Sequence, residues 1–209
     1  MAKLLYICAS PLEDLSFSKA VADAFVDEYQ KQNPSDKIDR MELFKADLPD
    51  FDLAAASAKY KIMHQLDHSA QEKQTWANIE KVIDHFKSFD KYLFAVPMWN
   101  FSIPYRLKQY IDILVQPGHT FTIDQQGSYK GLVTGKKAIV AYAAGGDYSS
   151  EQTKSFDFQK PYMDLFFGFI GITDVQKLIC EPTLQQGPEA AKNKKAQVIE
   201  KAKKLAGSF

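Results

Sequence analysis

Residues 3–20 read KLLYICASPLEDLSFSKA: a short apolar run, a turn rich in serine, and the opening of a helix. The run from Lys3 to Ala9 is almost continuously apolar, as a strand covered on both faces should be. From Ser18 onward Ala20, Val21, Ala24, Phe25 and Tyr29 recur at helical spacing until Pro34 ends the helix. The chain therefore opens with strand, turn and helix.

The same rhythm continues outward. Ile38–Phe44 alternates as a second strand, and Leu48, Pro49 and Phe51 mark a loop before an alanine-rich helical stretch and a long helix around Trp76–Phe89. Asp90–Val96 reads as a third strand. A helix from Pro104 to Val115 begins with proline and stops before Pro117 and Gly118, and Lys136–Ala144 follows as a fourth strand closed by Gly145 and Gly146. A helix carrying Tyr162, Leu165, Phe166, Phe169 and Ile170 leads to a fifth strand, Asp174–Cys180, and then a lysine-rich final helix. Five strands alternating with helices predict an α/β fold with a parallel sheet covered on both faces. Thr120–Thr134 interrupts the pattern and reads as an inserted hairpin turning near Gly127.

Length and composition narrow the class. The 209 residues suit one α/β domain spanning 1–209, and 45% apolar with 25% charged residues is ordinary globular usage. Lysine plus arginine total 26 and so do aspartate plus glutamate, so no net field holds a nucleic acid or an anionic membrane. Cys8 and Cys180 are too few for a disulfide framework and fall in strand-like runs, which fits a reducing cytoplasm. The N-terminal run is a strand rather than a signal peptide, and charges interrupt every apolar stretch well short of the roughly 18 residues of a membrane helix.

In an open parallel sheet a ligand sits beyond the carboxyl ends of the strands, where strand order reverses. Three loops then matter. Ser10–Ser18 gathers Ser10, Ser16 and Ser18 at a helix start, where hydroxyls and free amides suit a single phosphate; ordinary serine capping is the plainer reading. No Glu or Gln stands three residues after Ser16 or Ser18, so no capping box forms, and Lys19 occupies a first turn that disfavours a cation unless an anion lies near. Neither G-x-G-x-x-G nor G-x-x-x-x-G-K-[ST] occurs there, which argues against a dinucleotide turn and excludes a P-loop. Pro97–Pro104 sets Trp99 and Phe101 around Asn100, suited to a planar ring or to simple loop packing. Ala143–Ser149 supplies Gly145 and Gly146, which let a backbone approach a ligand. All three signals fall on the loops a switch-point site would use.

Other features carry less. His64 and His68 are four apart on an expected helix, but Gln65 stands where a metalloprotease carries glutamate, so no metal ligand is assigned. The lysines of the last helix flank an apolar stripe of Ala191, Val198, Ala202 and Leu205, as on a surface helix. Asn100-Phe101-Ser102 matches a glycosylation sequon only by accident.

With the serine loop, PMWNF (97–101) and the glycine pair in view, the chain resembles the bacterial FMN-dependent NADH-azoreductases, or NADH:quinone oxidoreductases, of the flavodoxin-like superfamily. GLVTGKKAIV (131–140) and GFIGITDV (168–175) also look like segments of that family. The resemblance implies a three-layer α/β/α sandwich with sheet order 2-1-3-4-5. It implies FMN held at its phosphate by Ser10, Ser16, Phe17 and Ser18, along its ring by Met98, Trp99, Asn100 and Phe101, and completed by Ala143, Ala144, Gly145 and Gly146. It further implies NADH or NADPH as hydride donor, a quinone or azo compound as acceptor, and a homodimer with the site at its interface, where Phe121 and Phe166–Phe169 wall the substrate space. Two departures stand out: Trp99 where the family often has tyrosine, and Ala143-Ala144 where it often has Ser-Arg. On this reading the flavin takes hydride and passes on two electrons in a ping-pong cycle, and no side chain need act as acid or base. The rival reading is a flavodoxin-type electron carrier, which zero net charge and the added hairpin disfavour.

Overall fold

Alternate residues of the apolar strands point to opposite faces of one sheet, and that alternation builds two separate cores. The computed structural model describes all 209 residues, Met1–Phe209. In chain order the elements are β1 (Lys3–Cys8), α1 (Phe17–Gln32), β2 (Lys37–Glu42), α2 (Leu53–Met63), α3 (Ala70–Lys87), β3 (Lys91–Pro97) and α4 (Tyr105–Leu114). Then come β4 (Phe121–Ile123), β5 (Tyr129–Gly131), β6 (Lys137–Ala143), α5 (Lys160–Ile170), β7 (Asp174–Cys180) and α6 (Gly187–Ala206). The main sheet is wholly parallel in the order β2-β1-β3-β6-β7, which is 2-1-3-4-5 when its own strands alone are counted. β4 and β5 pair antiparallel as a separate hairpin, as the inserted segment predicts.

Leu5, Ile7, Tyr92, Phe94, Val96, Val140 and Tyr142 face one side, where α2–α5 bring Ile83, Phe86, Leu107, Ile111, Met163 and Phe167. Leu4, Tyr6, Cys8, Leu93, Ala95, Ile139, Ala141 and Cys180 face the other, against Val21, Phe25 and Tyr29 of α1 and Val198 and Ala202 of α6. Each large apolar side chain so buried contributes about 1.5–3 kcal/mol. β1, β3 and β6 are covered on both faces and lie side by side, whereas β2 and β7 are edges with mixed patterns. Their central position brings three successive strand mouths together.

Some element ends differ from the sequence expectation. β2 stops at Glu42 rather than Phe44, because Lys45 and Ala46 N–H both turn back to the Glu42 carbonyl. α3 begins at Ala70, six residues before Trp76, on a capping box in which Ser69 Oγ accepts from Glu72 N–H and Glu72 accepts from Ser69 N–H. α2 ends at Met63, so His64 caps it and His68 lies in the following loop; the two histidines share no helix face. No cluster of three or more His, Cys, Asp or Glu side chains is placed to hold a metal. No helix is long and apolar enough to cross a membrane.

Candidate functional site

The serine loop leaves the mouth of β1 and runs through a short 3-10 turn, Glu13–Leu15, into α1. Ser16 is the N-cap of α1, its Oγ accepting from Lys19 N–H at 3.2 Å, and no capping box forms. Ser18 is fully buried, and its Oγ touches only Ser16 Oγ, at 3.3 Å. Ser10 is nearly buried and its Oγ accepts from Leu12 N–H at 3.4 Å. The Phe17 and Ser18 N–H groups, at the first turn of α1, donate to no protein acceptor, as the start of a helix dictates. Three hydroxyls and two free amides thus meet at the positive end of a sixteen-residue helix. Lys19 is otherwise accounted for: its ammonium bonds Asp23 at 3.0 Å, which raises its pKa, so its place in the first turn needs no external anion.

The second loop is a two-residue hairpin turn. Trp99 and Ser102 exchange N–H···O bonds of 2.9 and 3.0 Å across Asn100 and Phe101, whose φ angles are +45° and +71°. Both central residues are left-handed, as in a type I′ turn. Asn tolerates this region; Phe does not favour it, and such strain collects at functional sites. The Asn100 and Phe101 N–H groups have no protein acceptor. Trp99 leans on Phe44 and Tyr105, with ring centroids 5.5 and 6.2 Å away. Met98 uses its N–H within the fold, donating 2.7 Å to the Ala143 carbonyl.

The third loop follows β6. Ala143 and Ala144 are buried, and Ala144 N–H donates to the Cys180 carbonyl at 3.3 Å. Thr183 N–H and Oγ1 clasp the Ala144 carbonyl, and Leu184 and Gln185 N–H clasp that of Gly145. The Gly145 and Gly146 N–H groups remain free. A Cβ on Gly145 would meet only the exposed end of the Leu184 side chain.

The structure therefore brings all twelve expected residues to the three adjacent mouths of β1, β3 and β6, and seven of them keep an unpaired main-chain donor: Ser10, Phe17, Ser18, Asn100, Phe101, Gly145 and Gly146. A phosphate at one end and a flat heterocycle with acceptors on its edge at the other match this donor set; an FMN is such a molecule. No histidine or other group suited to proton transfer lies in the three loops apart from Glu13, Asp14, Asp147 and Tyr148. Glu13 is paired with Lys45, and Asp147 accepts from Ser149.

One cavity adjoins the turn, and a second lies between the hairpin and α5. The first, about 710 Å³, is lined by Trp99, Asn100, Tyr105, Phe51, Asp50 and Asp52 among others. The other, about 600 Å³, is almost wholly apolar and lined by Phe121, Tyr129, Tyr162, Leu165, Phe166 and Phe169, with Lys59 at its rim. Burial pushes the Lys59 ammonium pKa down. The Phe121 and Phe169 rings lie tilted with centres 4.7 Å apart, so the hairpin and α5 share one aromatic wall; Phe167 instead points into the core against Phe94. Sequence reading missed the segment after β7. Glu181, the first residue beyond the carboxyl end of that strand, was the available signal.

The comparisons with known proteins agree with this geometry. A family model described as the flavodoxin-like fold matches residues 2–206. The FMN-dependent NADH:quinone oxidoreductase of Nitratidesulfovibrio vulgaris strain DP4 is 46% identical over 210 residues, covering 100% of both chains. That of Desulfotalea psychrophila is 45% identical over 184 residues, 88% of this chain and 87% of its own. Among solved structures, an azoreductase from Bacillus anthracis strain Sterne superposes with a TM-score of 0.91 at 28% identity over 100% of both chains. An FMN-dependent NADH-azoreductase from B. anthracis strain Ames Ancestor, solved in complex with FMN, superposes at 0.86 with 28% identity, over 99% of this chain and 100% of its own. The chain belongs to the flavodoxin-like fold family and, within it, to the family of the FMN-dependent NADH:quinone oxidoreductases.

Proposed function

We propose that the protein is an FMN-dependent NADH:quinone oxidoreductase that also cleaves aromatic azo compounds reductively, with residues 1–209 forming one FMN-binding domain. The observation that carries this reading is the set of seven unpaired main-chain donors at three adjacent strand mouths, with buried serine hydroxyls at one end. Ser10, Ser16 and Ser18, with the Phe17 and Ser18 amides, hold the phosphate. The amides of Asn100, Phe101, Gly145 and Gly146 address the edge of the ring, with Met98, Trp99, Ala143 and Ala144 beside it. Bound FMN supplies the hydride-accepting, two-electron chemistry. The chain's own part is to bind, orient and shield, and no side chain acts as acid or base. Donor and acceptor use one open face in turn, in a ping-pong order, beside the cavity lined by Trp99 and Asn100.

The exposed apolar residues Phe101, Phe156, Phe158 and Leu165 lie on the site side of the molecule. Covering them against a second copy gives a homodimer whose interface adjoins the site. Two buried free thiols suit a reducing cytoplasm. Anaerobic mixing of FMN-loaded protein with NADH, followed at about 450 nm, tests the function. An enzyme bleaches with NADH and regains colour on adding a benzoquinone or an azo dye; a carrier that does not bleach overturns the reading.

A further inference from the structure

A buried ion cluster joins the second and third loops. Lys160, the first residue of α5, places its Nζ 2.8 Å from Asp157 Oδ2 and 2.8 Å from Glu181 Oε2, and both carboxylates are more than 90% buried. The triad carries two negative charges to one positive, and a charge removed from water persists only where its partners hold it. Burial draws the Lys160 pKa down, but the two carboxylates outweigh it and leave the group raised.

Each arm of the triad leads to one loop. Asp157 Oδ1 also accepts from Gln159 and Lys160 N–H, fixing residues 157–160 as a tight turn. Within that turn Phe158 N–H donates 2.9 Å to the carbonyl of Phe101, the strained residue of the second loop, and Gln159 Nε2 donates 3.0 Å to Val96 at the end of β3. On the other side Glu181 sits between Cys180, whose carbonyl receives Ala144 N–H, and Thr183–Gln185, which clasp Ala144 and Gly145. The Lys160 ammonium also lies 5.9 Å from the ring centre of Tyr148, which packs on Gly146. Lys160 is thus the single side chain that ties the segment holding Phe101 to the segment holding Gly145.

We propose that Lys160 is a positioning residue: it sets the spacing between the Trp99–Ser102 turn and the Ala144–Gly146 loop, and so the fit of the flavin ring between them. The proposal rests on the reading that these loops hold the ring. Lys160 touches neither the ring nor the acceptor; it acts through the Phe158–Phe101 and Glu181–Cys180–Ala144 contacts. Around it stand Asp157 before α5, Glu181 after β7, Asp147 and Tyr148 on the third loop, and Tyr142 and Cys180 on the flanking strands.

The test compares Lys160→Met, Lys160→Arg and Glu181→Gln with the wild type, measuring FMN affinity by fluorescence quenching and the rate of flavin bleaching by NADH across pH. K160M leaves two facing buried carboxylates without their cation, so FMN affinity and bleaching rate both fall about tenfold or more. That loss eases as pH is lowered from about 8 to about 6, because the pair takes up a proton in place of the ammonium. The wild type shows no such recovery, and K160R, which keeps a cation between both carboxylates, recovers most of the loss. A fold that was merely weakened would not mend with acid. If K160M does not accumulate, E181Q decides: with one arm cut, affinity falls several-fold. Wild-type affinity and rate in K160M, or in E181Q where K160M is unobtainable, overturn the proposal alone. Failure of the wild type to bind FMN overturns the site reading and the proposal with it.

Discussion

Gly131 of β5 and Gly171 beyond α5 pack main chain against main chain, so closely that a methyl group on Gly131 would overlap the backbone of Gly171. Val133 N–H donates 2.8 Å to the Ile170 carbonyl beside this contact, and Gly171 itself holds φ +100° as the cap of α5. The hairpin is thereby fastened to the helix that shares its aromatic wall. Gly131→Ala should destabilise by about 3 kcal/mol, the upper end of overpacking costs, because the clash is with main chain that cannot swing aside. Gly127→Ala, in open space at the hairpin tip with φ +81°, should cost about 1 kcal/mol from backbone conformation alone. Urea unfolding of the two variants reads the difference; equal losses would contradict the contact.

Ser16 and Ser18 are separable. Ser16→Ala removes the cap of α1 and should lower stability by about 0.5–2 kcal/mol while weakening FMN binding. Ser18→Ala breaks no bond of the fold beyond the 3.3 Å contact to Ser16. It should leave the unfolding midpoint nearly unchanged yet weaken FMN binding on the order of tenfold, the worth of one hydrogen bond to a charged group. Normal FMN affinity in S18A would remove the serine loop from the phosphate site.

Acid should loosen the α2–α3 corner late. Lys61, then Ser57 and the Ser69 N–H, hold the Glu72 carboxyl down at about 2, against an ordinary value of 4.5. Because its folded pKa is depressed, the group's contribution is complete above about 4.5 and is lost as pH falls through about 2. Glu72→Gln should therefore flatten the pH dependence of stability in that window and leave it unaltered near neutrality; circular dichroism titrations of both proteins check this.

Both thiols should be silent in the folded protein. Burial raises the pKa of Cys8, and it pushes that of Cys180 up to about 11. At pH about 8 a thiol reagent should label neither residue on mixing, and both once denaturant is added. Rapid labelling of native protein would show that β1 or β7 opens readily.

Leu165, 67% exposed on α5, belongs to the apolar face proposed to meet a second copy. Leu165→Asp should convert a dimer to a monomer in light scattering and reduce quinone turnover together with it. A wild-type monomer would refute the dimer.

The order of elements and the placement of the three loops were legible because buried parallel strands write continuous apolar runs, and Leu4–Ala9, Tyr92–Val96 and Ala138–Ala144 do so without interruption. β2 was blurred at its end because an edge strand alternates weakly and Leu43 is buried beyond it. The start of α3 was overlooked although Ser69 and Glu72 spell its capping box. Asn100 and Phe101 announced an aromatic loop, but nothing in their identity foretold two left-handed residues, since phenylalanine is seldom found there. The Lys160 triad was invisible for a different reason: its members are 24 positions apart from first to last, Asp157 to Glu181, and only the return of β7 beside β6 brings them together.

Amide hydrogens belong to every residue except proline, so a ligand grasped through them makes few demands on which letter occupies a position. On the proposed reading, alanines at 143 and 144, or an indole at 99, would leave that grasp whole and change only what surrounds it. A chain of this architecture is thus free to retune its clientele by single substitutions and still keep its prosthetic group.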